Sequence, residues 1–115
     1  MYDNNNLFAK IIRNKISCRK VYEDKYTLIF HDIRPVAPIH LLAIPKGEFR
    51  SFNDFIAHSS KAHSLSFFNS IHKILVEYCS SQSGYRLVIN HGKDADQIIE
   101  HFHIHIIAGK KLRPL

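Results

Sequence analysis

Three histidines at every second position are the feature of this sequence best suited to chemistry. They are His101, His103 and His105, and Phe102 and Ile104 separate them. Because a β-strand sends successive side chains to opposite faces, a strand here would place the three imidazoles on one face and the apolar residues in the core. Two-residue steps space the rings by about 6.6 Å. Such a row can grip successive atoms of an extended polar ligand.

Three interpretations of this histidine row are possible: a solvated polar face, a zinc site or a phosphate site. A solvated polar face would explain one histidine better than three in register. A zinc site needs a third ligand from elsewhere, and Glu100, the nearest carboxylate, is expected on the opposite face. In a phosphate site, the imidazoles donate hydrogen bonds and one of them attacks phosphorus. The row by itself leaves all three open.

If the histidine row is a phosphate site, its chemistry needs no metal and no cofactor. An unperturbed imidazole, with a pKa of about 6.5, is largely neutral near pH 7, so one ring nitrogen can attack. The other nitrogen needs an acceptor that fixes the tautomer. Neighbouring imidazoles can donate to oxygens on which negative charge develops.

The elements that must position the row follow from apolar spacing and turn residues. We predict an N-terminal helix over 7–16 and one long helical region over 51–82. Its apolar stripe consists of Leu65, Phe68, Ile71, Leu75 and Cys79. Strands are predicted over 21–23, 26–31, 40–45, 85–90 and 98–108. This order predicts a single α+β domain over 1–115 with a five-stranded antiparallel sheet.

Composition narrows the classes of protein. The 115 residues carry 16 Lys+Arg against 10 Asp+Glu, a formal charge of +6, and 45% are hydrophobic, which is typical of a globular protein. The basic residues are scattered, so we expect no nucleic-acid partner. No apolar run approaches the roughly 18 residues of a membrane span. Cys18 and Cys79 have no CxxC spacing and fit a reducing, cytoplasmic compartment.

Several segments together resemble the histidine triad (HIT) family of nucleotide-binding proteins, most of all its Hint branch. Residues 101–107, HFHIHII, match the family's His-φ-His-φ-His-φ-φ signature, where φ is hydrophobic. Residues 30–40, FHDIRPVAPIH, and 43–46, AIPK, match its N-terminal half. Asn90 stands 11 residues before His101, as the family's asparagine does. The resemblance covers about residues 7–110 and implies the HIT fold.

The resemblance implies a role for four histidines. His103 would be the nucleophile that attacks the α-phosphorus, expels the leaving group and forms a nucleotidyl-histidine, which water then cleaves. His105 would hydrogen-bond the phosphate oxygens. His101 would orient His103 through its backbone carbonyl, and His40 would lie beside the same phosphate.

The resemblance also implies a nucleotide-binding set. Asp32 would accept hydrogen bonds from the ribose hydroxyls, although a solvated aspartate at a strand end is common. Asn90 would touch ribose or phosphate, and Gln97 would contact the phosphate group. The walls of the purine slot, which could equally be core residues, would be Phe8, Ile11, Phe30 and Ile33.

Four positions depart from the family pattern. The loop before the histidines usually reads Gly-Gln-Ser or Gly-Gln-Thr, and here it is Asp96-Gln97-Ile98. Asp96 adds a side chain and a negative charge where a glycine backbone approaches the phosphate, and Ile98 replaces a hydroxyl that assists the leaving group. Asn6 and Ala9 stand where many bacterial members carry zinc-binding cysteines, so we expect no structural zinc.

The function implied by the resemblance is that of a homodimer whose sheets extend each other. It would act as a purine nucleoside phosphoramidase or nucleotidyl hydrolase on AMP-type or GMP-type substrates. A dinucleoside polyphosphate hydrolase, as in the Fhit branch, is the first alternative. The second is a nucleotide-binding regulatory module with weakened catalysis, which Asp96 and Ile98 favour.

Overall fold

The computed structural model describes residues 1–115 as five strands and three α-helices. In chain order these are α1 (Leu7–Ile12), β1 (Lys20–Glu23), β2 (Thr27–His31), β3 (Ile39–Pro45), α2 (Phe52–His58), α3 (Lys61–Cys79), β4 (Tyr85–Val88) and β5 (Ile104–Ala108), with a 3-10 turn at Lys93–Ala95. No helix combines the length and apolar character needed to cross a membrane.

All five strands form one antiparallel sheet in the order β1-β2-β3-β5-β4. The last strand of the chain therefore lies inside the sheet, between β3 and β4. Its register sets Leu42 opposite His105 and His40 opposite Ile107. The predicted α+β class and the five-stranded antiparallel sheet are confirmed.

The two faces of the sheet carry separate apolar clusters. One face packs under α2 and α3, and its cluster includes Phe102, Ile104 and Ile106 from the histidine segment. On the other face, α1 places Phe8 and Ile11 against residues of β2 and β3, namely Leu28, Phe30, Leu42 and Ile44. Cross-strand neighbours share a face, so the alternation in the histidine segment places its apolar residues in one cluster and leaves the histidines facing the other side.

The region predicted to be helical, 51–82, is helical but is divided into α2 and α3 instead of forming one continuous helix. Ser59 and Ser60 both adopt extended backbone between them, and the Ser60 hydroxyl accepts the N–H of His63 as the N-cap of α3. Serine side chains compete with the helical backbone in this way, which favours a helix start over a helix interior. The N-terminal helix is also shorter than predicted and ends at Ile12.

The apolar stripe of α3 is rotated from the predicted one. Leu65 is 64% exposed and Phe68 is 37% exposed, whereas Phe67, Ile71 and Ile74 are buried. Both sets have helical spacing, because α3 carries apolar residues on more than one side. Contact with the sheet decides which side is buried.

The final strand is shorter than the predicted 98–108 and begins at Ile104. The preceding segment lies outside the strand ladder and is held by individual contacts. One of these is the hydrogen bond from the Phe102 N–H to the Phe49 carbonyl, at 2.8 Å. Phe102 is nevertheless buried, so the predicted alternation continues beyond the ladder.

Replacing Phe67 tests the observed face of α3. Its ring is fully buried and packs against Phe55 and Phe102. We expect Phe67→Ala to lower the free energy of unfolding by about 3–5 kcal/mol in urea denaturation, since it leaves a cavity. Leu65→Ala, as the control, should change it by less than about 1 kcal/mol. Equal losses in the two variants would contradict the observed orientation of α3.

Candidate active site

A cavity of about 510 Å³ opens on the sheet face that carries α1. Eight of the predicted site residues line it: Phe8, Ile11, Phe30, Asp32, Ile33, Asn90, His103 and His105. His40 lies next to His105, and His101 is buried behind His103. The fold thus gathers residues from five separate segments of the chain.

The apolar part of the cavity lies between α1 and strands β2 and β3. Phe8 packs edge-to-face on Phe30 and on His103, with ring centroids 5.8 Å and 5.0 Å apart. Leu42 completes this wall. It is not among the predicted site residues, because in the sequence an apolar strand residue cannot be told from an ordinary core residue. Its position two residues after His40 is the signal that could have placed it on the site face. Ile33 and Ile98 are 87% and 89% exposed and flank the opening.

Backbone carbonyls fix the tautomers of the first two histidines. His101 Nε2 lies 2.8 Å from the Pro45 carbonyl oxygen and must donate to it, since a carbonyl can only accept. In the same way, His103 Nδ1 donates to the carbonyl of His101 at 2.7 Å. Neutral His103 therefore carries its proton on Nδ1 and a lone pair on Nε2.

A backbone amide fixes the other two histidines by the same logic. The Val36 N–H donates to His40 Nδ1 at 3.1 Å, so the proton of neutral His40 lies on Nε2. That nitrogen is 2.9 Å from His105 Nδ1, which must accept. His105 is left with its proton on Nε2, where it can donate to a bound anion.

Asp32 lies beside the hydrogen-bonded pair His40 and His105 and also lines the cavity. Its Oδ1 accepts the Arg34 N–H at 2.8 Å, and its Oδ2 is 3.3 Å from His40 Nε2 and 4.0 Å from His105 Nδ1. Each carboxylate oxygen has a second lone pair. The carboxylate therefore lies beside the Nε2–H of His40 and can still accept a hydroxyl from a ligand in the cavity.

The sequence matches the HIT domain family over residues 13–112, which covers most of the chain. The chain belongs to the HIT family. An uncharacterized HIT-like protein of Rickettsia prowazekii is 46% identical over 112 residues, covering 97% of this chain and 93% of that protein.

Solved structures show the same fold. A histidine triad protein from Clostridium difficile superposes with a TM-score of 0.85 at 38% identity, covering 100% of this chain and 99% of the other. A protein described as a HIT family hydrolase from Legionella pneumophila gives 0.85 at 36% identity, covering 95% and 96%. The predicted HIT fold is therefore confirmed.

Burial holds the histidines of this HIT site in their neutral form. It lowers the pKa of His101 from its ordinary value of 6.5 to about 4. The pKa of His105 also falls to about 4, through burial and the neighbouring His103 and His40. Burial likewise lowers the pKa of His40 and of His103, against the opposing charge of Asp32. All four shifts favour the neutral ring, which agrees with the tautomers that the hydrogen bonds assign.

Asp32, His40 and His105 are also the residues that could hold a metal ion, with ligand atoms all within 4.8 Å of one another. Their protonation works against this use. A metal on His40 Nε2 would move the ring proton to Nδ1, where it would face the N–H of Val36. The set therefore suits a chain of hydrogen bonds better than a metal centre.

Gln97, in the loop before the histidines, was expected to contact the phosphate group, but its side chain bonds to the backbone of neighbouring segments. Its side-chain oxygen accepts the Gly92 N–H, and its amide donates to the carbonyls of Arg50 and Ile99. Gln97 thus holds the loop together and does not line the cavity. Asp96 does line it and has left-handed backbone, with φ +56° and ψ +39°, a conformation that favours glycine.

The lowered histidine pKa values predict that acid destabilises the protein. A histidine kept neutral by folding stabilises the native state above its unfolded pKa of about 6.5, and this stability is lost as the pH falls towards 4. Urea denaturation at pH 7.5, 6 and 5 should therefore show a falling free energy of unfolding. His105→Gln should weaken the dependence, and His72→Gln, at an exposed position of α3, should not. Equal stability at pH 7.5 and 5 would contradict this account.

Proposed function

We propose that this HIT protein hydrolyses nucleoside phosphoramidates or related nucleotidyl compounds of purines through a nucleotidyl-histidine on His103. The observation that carries the proposal is the hydrogen bond from His103 Nδ1 to the His101 carbonyl. It leaves the lone pair on Nε2 of a neutral ring that lines the cavity. A hydrolase function also agrees with the description of the Legionella protein.

The proposed reaction has two displacements at phosphorus. His103 Nε2 attacks the α-phosphorus and forms a P–N bond as the bond to the leaving amine breaks, and the amine takes a proton from water. The ring becomes a cation, and the His101 carbonyl stabilises it through the bond to Nδ1. Water then attacks the phosphorus and gives up a proton to the solvent, the electron pair of the P–N bond returns to His103 Nε2, and the nucleoside monophosphate is released.

The second pair of histidines supports this chemistry. His105 Nε2–H is available to donate to a phosphate oxygen as negative charge builds up there. The hydrogen bonds from Val36 to His40 and from His40 to His105 keep that proton on the correct nitrogen. No reorganisation of the rings is needed when the substrate arrives.

The nucleoside would occupy the apolar end of the cavity. Phe8, Ile11 and Phe30 offer flat and branched apolar surface to a purine, and Asp32 lines the same cavity with its Oδ2 3.3 Å from His40 Nε2. A cavity of about 510 Å³ is within the usual range for small-molecule sites. The formal charge of +6 favours an anionic substrate. The free thiols of Cys18 and Cys79 agree with a cytoplasmic location.

Two other functions are possible for this site. A dinucleoside polyphosphate hydrolase would use the same nucleophile, and product analysis separates it from a phosphoramidase. A binding module with weakened catalysis is favoured by Asp96 and Ile98, which line the cavity at the loop before the histidines. Such a module would bind AMP and fail to turn over either substrate.

Hydrolysis of adenosine 5′-phosphoramidate tests the proposal. We expect the protein to release AMP with or without EDTA. His103→Ala should lower the rate by about a thousandfold or more, because it removes the nucleophile. Its affinity for AMP should stay within about tenfold, since the apolar wall and Asp32 remain.

His72→Ala serves as the matched control, because His72 is an exposed histidine on α3. It should leave the rate unchanged. Full activity in His103→Ala would show that another group is the nucleophile. Binding of AMP without turnover by the unmodified protein would support the regulatory module.

We further propose that two copies pair along β4. This strand lies at the edge of the sheet, and Tyr85 and Leu87 face the same side as the core residues Ala108 and Ile106 but are exposed. The helix α3 lies over β2 and β3 and does not cover them. An edge strand with uncovered apolar residues can extend its sheet by pairing with a second copy.

Sedimentation equilibrium measures this pairing. The expected mass is about twice the 13.4 kDa of one chain. Leu87→Lys should reduce it to one chain, because a charge would be buried at the interface. Ile56→Lys, the same change at an exposed position of α2, should leave the mass unchanged. A single-chain mass for the unmodified protein would contradict the pairing.

A further inference from the structure

We infer that Tyr2 is a positioning residue for the nucleophile: its hydroxyl holds the His101 ring, and the carbonyl of His101 in turn holds His103. The kinetic consequence rests on the proposed function. The structural part of the inference concerns three hydrogen bonds and can be tested without turnover.

The His101 ring is fully buried and has a partner at each nitrogen. Its Nε2 donates to the Pro45 carbonyl, so its Nδ1 carries no proton. The Tyr2 hydroxyl lies 2.5 Å from that Nδ1 and must be the donor. A buried polar atom without a hydrogen-bond partner lowers stability. Because Nδ1 is buried away from water, the Tyr2 hydroxyl supplies the partner that water would otherwise provide.

The protonation states agree with this direction at neutral pH. Burial raises the pKa of the Tyr2 phenol above its ordinary value, so the hydroxyl keeps its proton. Burial lowers the pKa of His101 to about 4, so the ring remains a neutral acceptor.

The position of His101 matters because its segment has no strand ladder to hold it. The strand β5 begins at Ile104, and the contacts that hold the segment before it include the Phe102 bond to Phe49 and the two bonds of the His101 ring. If Nδ1 loses its donor, the ring can rotate or shift its proton. Either change breaks the bond from Nε2 to the Pro45 carbonyl, and we expect the His101 backbone, whose carbonyl orients His103, to lose its fixed position.

The N-terminal segment is folded so that Tyr2 can reach this ring. The Asn6 N–H donates to the Asp3 carbonyl at 3.1 Å, closing a turn before α1. Asn6 also caps α1 through the N–H of Ala9. Phe8, in the first turn of that helix, packs edge-to-face on both His101 and His103. The segment before α1 is thus part of the wall behind the nucleophile.

The kinetic test compares two variants that each lose one tyrosine hydroxyl. Tyr2→Phe should lower kcat for adenosine 5′-phosphoramidate by about tenfold, because catalysis is sensitive to small misplacement of a reacting group. KM should stay within about twofold, since the nucleoside wall is intact. Tyr22 lies on β1, and its hydroxyl donates to the Asp24 carboxylate at 2.7 Å. Tyr22→Phe removes this hydrogen bond and should leave kcat unchanged. An unchanged kcat in Tyr2→Phe would overturn the positioning role.

The spectroscopic test uses protein with ¹⁵N-labelled histidine. In the unmodified protein, the His101 Nδ1 resonance should show an unprotonated nitrogen that accepts a hydrogen bond, and His103 should be protonated on Nδ1. In Tyr2→Phe, the first resonance should move towards that of an unbonded nitrogen, and a second His103 tautomer should appear. A single His103 tautomer in both proteins would overturn the inference.

These readouts separate the two proposals. If the unmodified protein releases no AMP but Tyr2→Phe alters the His103 tautomer, the proposed function fails and the positioning role stands. If Tyr2→Phe does not fold, the spectrum of the unmodified protein decides. An unbonded or protonated His101 Nδ1 there would overturn the role of Tyr2, and a hydrogen-bonded acceptor would support it.

Discussion

The insertion of β5 between β3 and β4 is the constraint on which the rest of the site depends. Antiparallel pairing with β3 brings Leu42 opposite His105 and sets His40 next to that ring. A register shift of one residue would turn His105 into the core beneath α2 and α3 and would turn Ile104 and Ile106 towards the face that carries the cavity. The fully buried Phe102, Ile104 and Ile106 make such a shift expensive, so hydrophobic packing on one face fixes the chemistry on the other.

Within that frame, the protonation of the site is set by main-chain groups. The carbonyls of Pro45 and His101 and the amide of Val36 each have one possible role in a hydrogen bond, and each fixes one imidazole. Burial reinforces them by disfavouring the imidazolium forms. The result is a preorganised pair of a lone-pair nitrogen on His103 and a donor on His105, which is the arrangement that attack on a phosphate ester or amide needs.

The sequence predicted the sheet well and the helical region poorly. Strand alternation is a local property with a period of two, so the faces of Phe102 to Ile106 could be read from the residues. In α3, by contrast, Leu65 and Phe67 lie on different sides of a helix that is apolar on both, and only the sheet beneath shows which is buried. The break at Ser59 and Ser60 had a capping signal, but such residues also occur on exposed helix surfaces.

For the site, the sequence by itself determined the histidine row, the shared face and, through the family signature, the candidate partners Asp32, His40 and Asn90. Only the tertiary structure decided that Gln97 bonds its own loop and that Tyr2 reaches His101 from 99 residues away. The reason is physical. Alternation and motif spacing act along the chain, whereas a hydrogen bond between distant residues depends on how the strands and the N-terminal segment pack, which no local pattern encodes.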